Sequence, residues 1–185
     1  MGAGYRPRIP VFQCLITGLE TGVLAVLAML AWLGASSVWY RRSFWTAPNL
    51  LAAAFYGQSA LHNRFTVHTF FGLGLYVVIY GSIGILFALA IQDRQPSLRI
   101  SCAGILCAIL WYFVAFGWIW KRLDPLMLVY TYDRPMFAGH VLYGWILGRY
   151  PRILPRVPMH EPVVELPVAP LAGSGPASGD LEIKD

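Results

Sequence analysis

The chain has 185 residues, enough for one helical domain of moderate size. Apolar residues make up 57% of it and charged residues only 12%, a balance that excludes an ordinary soluble domain. The net charge of +5 comes from arginines that flank apolar runs, so the composition predicts no binding of nucleic acid. We expect an integral membrane protein.

Three long stretches contain no charged residue: 21–40, 65–92 and 100–120. A bilayer core of about 30 Å is crossed by roughly 20 apolar helical residues, and each stretch reaches that length. The sequence therefore predicts an all-α, polytopic membrane protein with three long transmembrane helices, the first of them starting near residue 9. The polar loop 93–99 is short, so the second and third helices should form an antiparallel hairpin.

Two shorter helices are predicted at 48–63 and 135–149. Each starts with a proline, which suits the first turn of a helix because its missing N–H would be unpaired there anyway. The first covers about 24 Å and its last third is polar, which favours an interfacial or half-inserted helix. Whether either short helix crosses the membrane stays open at this point.

The chain changes character at residue 150. Seven of its thirteen prolines lie beyond that point, followed by a Gly/Ser-rich stretch. This composition is typical of an extended or disordered segment. We therefore predict two parts, a helical membrane domain at 1–149 and a Pro-rich tail at 150–185. The tail could lie across a partner surface or place its arginines beside anionic lipid.

The two short helices align with each other at an offset of 87 residues. The same offset aligns the first long helix with the third, so the chain could be an internal duplication whose copies run in the same direction. The identities that carry this alignment are Pro48 with Pro135, Tyr56 with Tyr143, and Gly57 with Gly144.

Basic residues give little guidance on orientation, because they divide seven against six between the two predicted faces. We expect both termini in the cytoplasm, in a bacterial cytoplasmic membrane.

Glu20 and Gln13 are predicted to be buried polar residues of the first long helix. An ionised carboxylate deep in the bilayer is costly, so such residues are often functional. Gln13 lies seven residues earlier, on the same helical face. Glu20 could handle protons or cations, or it could form a hydrogen bond with a neighbouring helix or subunit.

Two pairs of glycines at four-residue spacing, and three glycines along one side of the second long helix, predict close helix packing, because small residues let helix backbones approach each other within the membrane. The pattern indicates assembly rather than catalysis, and it could serve contacts within the chain or with another subunit. The predicted packing glycines are Gly18, Gly22, Gly74, Gly81, Gly84, Gly144 and Gly148.

His68 and His140 each lie about one turn into a predicted helix. If both helices start at the same side of the membrane, the two imidazoles could hold a b-type haem within the bundle. The alternative is a pair of interfacial hydrogen-bonding groups, with no cofactor. No cluster with the spacing of a metal site is present, and no familiar catalytic motif occurs.

Residues 139–148 contain a His-x-x-Tyr-Gly-x-x-x-Gly pattern. This pattern resembles one found in small bacterial YagU-like inner-membrane proteins of unknown function. The resemblance covers about ten residues and implies a small multi-helix bacterial membrane protein, with no activity attached.

The sequence as a whole favours a non-catalytic role. We expect a small integral membrane subunit that packs against other subunits and lipids in a larger complex, such as a respiratory or photosynthetic one. One alternative is a small transporter or channel component that uses Glu20. A second is an electron-transfer protein that binds haem through His68 and His140.

Overall fold

The computed structural model describes residues 11–61, 64–91, 98–123 and 125–153, all of them in helices or in short connections. Two short helices, as predicted, accompany the long ones. The predicted tail lies outside the described residues from residue 154 onward. In chain order the elements are α1 (Val11–Trp39), α2 (Thr46–Tyr56), a 3₁₀ turn (Gly57–Ala60), α3 (Val67–Ile91), α4 (Leu98–Val114), a π-helical turn (Ala115–Ile119), α5 (Trp120–Leu123), α6 (Pro125–Tyr130), α7 (Asp133–Leu147) and α8 (Tyr150–Ile153).

Three of the described helices are long and apolar enough to cross a membrane: Val11–Trp39, Val67–Ile91 and Leu98–Leu123. The third is α4 continued through the π-helical turn into α5. Their outward surfaces carry many exposed leucines, valines and phenylalanines, as a lipid-facing surface does. The prediction of an all-α, polytopic helical membrane protein is confirmed.

Helices α1 and α3 run antiparallel, since Gly18 of α1 approaches Ala88 of α3 while Gly22 approaches Tyr80. Helices α4 and α7 are also antiparallel. Gly148, at the end of α7, meets Ser101 near the start of α4. The start of α1, the end of α3, the start of α4 and the end of α7 therefore lie at one end of the bundle.

The second short helix runs along the length of α1. Near one end, the indole Nε1 of Trp32 donates a hydrogen bond to the carbonyl of Pro135, at 2.9 Å. Near the other, the Tyr150 hydroxyl contacts the Cys14 sulfur at 3.6 Å. These contacts are separated by about 27 Å of α1. Together α7 and α8 thus form a fourth helical element at the same depth as the spanning helices.

Helix α2 crosses the start of α3 instead of running beside it. Asn49, near its first turn, accepts a hydrogen bond from Thr69, and the ring of Tyr56, at its end, contacts His68 and meets Phe71 edge-on. Both ends of α2 therefore meet the same short part of α3. This placement suits the predicted interfacial or half-inserted helix.

The described part of the predicted tail is a helical turn. Residues 150–153 form α8, in which Tyr150 and Pro151 are buried against the bundle. The helical structure therefore continues to residue 153, four residues beyond the predicted end of the membrane domain.

Candidate functional site

Glu20 lies on the outer surface of the bundle. Its side chain is exposed, so the prediction that it is buried within the chain is wrong. The reason is helical geometry. Gly18 and Gly22 face α3, and that leaves position 20 on the opposite side of α1.

The surface around Glu20 is apolar. Ile16, Leu24 and Leu27 are each close to half exposed, and Ala31 is exposed too. Their spacing from Glu20, four residues before it and then four, seven and eleven after it, places them all in one stripe along the helix. We call these four residues and Glu20 the outer stripe. Glu20 lies about 14 Å along the helix axis from Val11, so its carboxyl group is deep in the apolar layer.

Gln13 lies on the same side, two turns earlier. Its side chain is half-buried, and its Oε1 is enclosed without a hydrogen-bond partner among the described residues. An amide oxygen left unpaired in an apolar setting costs free energy. The outer side of α1 thus presents two polar groups whose bonding is incomplete.

The opposite side of α1 packs closely against α3. A Cβ atom on Gly18 would lie 2.8 Å from the carbonyl oxygen of Gly84, and one on Gly22 would lie 2.9 Å from that of Tyr80. Gly81 and Gly84 meet this surface from α3. Only glycine allows the two backbones to come this close.

Helices α4 and α7 make a second contact of the same kind. A Cβ on Gly144 would lie 2.6 Å from the carbonyl oxygen of Gly104, and one on Gly148 would lie 2.5 Å from the Cα of Ser101. Gly104 was not among the predicted packing residues, although Gly104 and Ala108 have the spacing that signals such a contact. The packing prediction does not hold for Gly74, which faces outward with no atom within 4 Å of a Cβ built on it.

His140 is completely buried between α3, α4 and α7. Its Nδ1 lies 2.9 Å from the carbonyl oxygen of Met136, and its Nε2 lies 2.9 Å from the Tyr80 hydroxyl. A carbonyl only accepts, so Nδ1 carries the proton and the Tyr80 hydroxyl donates to Nε2. Both ring nitrogens are therefore used within the chain.

Tyr143 completes this buried polar cluster. Its hydroxyl donates to the carbonyl oxygen of Tyr80 at 2.7 Å, and its ring meets the Tyr80 ring edge-on. Tyr112 and Phe116 of the α4 span enclose His140 from the other side. Every polar atom that this cluster uses has a partner, so the cluster fixes the positions of α3 and α7 rather than offering an open site.

His68 occupies a different environment. Its ring contacts the Tyr56 ring at the end of α2 in a tilted arrangement, and its Nδ1 is buried without a partner among the described residues. His68 and Tyr80 are twelve residues apart on α3, about 18 Å along the axis, and His140 lies beside Tyr80. Two nitrogens bound to one metal ion lie about 4 Å apart. The structure does not bring His68 and His140 together, and this geometry does not fit a haem held between them.

Glu20 lines none of the cavities described between the helices. The largest of these, about 600 Å³, lies between the end of α1 and the start of α7. A transport path that used Glu20 would have to form against the outer surface of the bundle.

Comparison with protein-family models, with curated proteins and with solved structures finds no match to this chain. The geometry of the chain itself therefore carries the functional argument.

Proposed function

We propose that this protein is a non-catalytic subunit of a larger membrane complex, and that the outer stripe of α1 is its binding surface. The carrying observation is the exposure of Glu20 in the middle of an apolar stripe. A neighbouring transmembrane helix from another subunit would cover the stripe and supply a hydrogen-bond donor or a cation at the depth of Glu20.

The energetic reason is the cost of leaving this residue against lipid. A charged side chain at the centre of a bilayer costs roughly 2.5–3.5 kcal/mol on insertion scales. A donor on a partner helix offsets that cost, because hydrogen bonds to charged groups contribute about 1.5–3 kcal/mol each. Helix association without such a group relies on packing alone.

The remaining polar groups of the bundle support a structural role. His140, Tyr80 and Tyr143 bond one another and the backbone, which leaves them no free atom for a substrate. The glycine contacts between α1 and α3 and between α4 and α7 account for the fold within the chain. The outer stripe is then the surface left for another subunit.

The test compares variants of Glu20 during purification from the native membrane in mild detergent. Wild-type protein is expected to co-migrate with a stoichiometric partner, identified by mass spectrometry. Glu20→Leu should lose that partner, while the isolated chain should melt at the same or a higher temperature because a lipid-facing acid has been removed. Leu86→Ala is the matched control, since Leu86 is exposed on α3 outside the stripe.

Two outcomes would overturn the proposal. One is a wild-type protein that purifies alone, and the other is Glu20→Leu protein that keeps its partner in full. If the solitary wild-type chain instead carries protons or cations across liposome membranes and Glu20→Gln abolishes that flux, Glu20 serves transport.

A further inference from the structure

A wide groove lies where the end of α1 meets the start of α7. Its volume is about 600 Å³, within the range of about 300–1,000 Å³ that is common for ligand sites. Ala35 and Ala138 form part of its lining, and Trp32, Trp39 and Tyr40 add their rings. The lining is overwhelmingly apolar, which suits a hydrocarbon chain.

A smaller cavity of about 40 Å³ lies beside this groove. Ser36, Tyr40 and Pro135 line both spaces, so the two are neighbours. Thr131 also lines the small cavity, and its Oγ1 is buried without a hydrogen-bond partner among the described residues. An apolar groove thus lies next to a cavity that contains an unpaired hydroxyl group.

Two arginines line these spaces. Arg134 lines the groove, and Arg42 lines the small cavity. Arg42 is held in place, since its Nη1 donates to the carbonyl of Tyr130 at 2.6 Å and its guanidinium lies 4.4 Å from the centre of the Tyr132 ring. Asp133 is the neighbouring acid, but it lines neither space.

The location matches the boundary between lipid tails and headgroups. Tryptophan and tyrosine concentrate at that level of a membrane, and the end of α1 carries Trp32, Trp39 and Tyr40 there. Arginine near the membrane surface attracts anionic lipids. A lipid will occupy a groove that opens to the bilayer at this level. The two arginines should favour a lipid with a negatively charged headgroup.

We infer that this groove binds one anionic phospholipid, with an acyl chain between α1 and α7 and its phosphate between Arg134 and Arg42. This binding does not require the subunit proposed for the outer stripe of α1. The groove lies beyond that stripe, toward the end of the helix, and Ala35 follows Ala31, the last residue of the stripe, by about one turn. The lipid would fasten the start of α7 to the end of α1, where Tyr40 and Tyr132 already stack.

Native mass spectrometry of the detergent-purified chain tests this inference. The probes are phosphatidylglycerol and phosphatidylcholine with identical acyl chains, titrated separately. We expect one phosphatidylglycerol to bind per chain, about fivefold more tightly than phosphatidylcholine for each arginine engaged. Arg134→Gln should remove about that factor, and Arg134→Lys should retain most of it.

Arg64→Gln is the matched control, because Arg64 is exposed at the same end of the bundle but lines neither space. Its selectivity should equal that of the wild type. Ala35→Phe fills the groove without touching the charges and should weaken both lipids alike. This second variant tests the site even if Arg134→Gln does not fold.

Three results would overturn the inference. The first is equal retention of the two lipids by the wild type. The second is Arg134→Gln protein with unchanged selectivity. The third is complete displacement of phosphatidylglycerol by millimolar inorganic phosphate, with no effect of Ala35→Phe, which would identify a phosphate site that does not recognise lipid.

Discussion

Helices α2 and α7 share a sequence pattern but differ in their burial and in the helices that they contact. They begin at Thr46 and Asp133, 87 residues apart, in agreement with the alignment of the two short stretches. Yet Tyr143 is fully buried, whereas Tyr56, its counterpart, is 45% exposed. Helix α7 runs between α1 and α4, while α2 lies across the start of α3.

The glycines explain this difference. Gly144 and Gly148 let the backbone of α4 approach α7, and Gly139 makes room for side chains of α1. Helix α2 has only Gly57, which ends the helix with a φ of +60° and has open space around it. A matching residue in two aligned segments can therefore serve helix packing in one and chain reversal in the other.

The largest effect should come from Gly144, which lies in the middle of the contact between α7 and α4. A methyl group at position 144 would lie 2.6 Å from backbone atoms of Gly104 and Ile105, and neither can move without shifting α4. We expect Gly144→Ala to destabilise the bundle by about 3 kcal/mol, the upper end for overpacking. Thermal unfolding in detergent, followed by tryptophan fluorescence, measures it. A variant that melts like the wild type would refute the close contact.

The contact of α2 should break without loss of the bundle. A Cβ on Gly72 would overlap the carbonyl oxygen of Pro48, so Gly72→Ala should push α2 off α3. We expect a melting temperature lowered by several degrees, corresponding to about 2 kcal/mol. Hydrogen exchange should rise in α2 alone. Gly74→Ala, on the outward side of the same helix, is the control. Hydrogen exchange that rises equally in α7 would contradict the claim that α2 and α7 pack independently.

Replacing the buried His140 should destabilise the bundle more than replacing His68, which lies beside α2. Replacing His140 with Leu removes the acceptor for the proton of the buried Tyr80 hydroxyl, which costs about 1–3 kcal/mol. The double variant with Tyr80→Phe should recover part of that loss in a double-mutant cycle. His68→Leu should change the melting temperature far less. Equal effects of the two single histidine variants would show that the Tyr80 bond is not what stabilises α7.

The smallest effect is expected at Gly57. Nothing lies within 4 Å of a Cβ built there, so the only penalty of Gly57→Ala is the backbone conformation, about 1 kcal/mol. With a ψ of −145° this conformation is adopted almost only by glycine, so Gly57→Asn should cost about as much as Gly57→Ala. The same melting assay measures both variants. If Gly57→Ala were as damaging as Gly144→Ala, the two aligned glycines would share a packing role after all.

The spanning helices could be predicted from the sequence because the signal is local. Uninterrupted apolar stretches gave all three long helices, and the prolines marked the two short ones. It was harder to predict which helices contact each other and through which sides. Glu20 could be placed at its depth but not on the outer side of α1, since hydrophobicity is uniform around a helix whose far side faces lipid.

The predictions for the glycines and histidines failed for other reasons. Gly74 faces outward, and no small residue follows it one turn later. Gly104 is followed by Ala108 at that spacing and packs against α7, a signal that the sequence prediction overlooked. His68 and His140 were paired by their distance from helix starts. That reasoning failed because α2 crosses the start of α3, while His140 reaches the middle of α3 from α7.

The π-helical turn at Ala115–Ile119 gives the α4 span two different registers. Such a turn contains one extra residue, which rotates everything after it by about 100° around the axis. Before the turn, Gly104 and Ala108 face α7. After it, Trp120 shares a space with Leu51 of α2 and Met127 of α6. One continuous helix thus joins two layers of the protein whose side-chain patterns are out of phase, and a single periodicity cannot describe which of its residues face lipid.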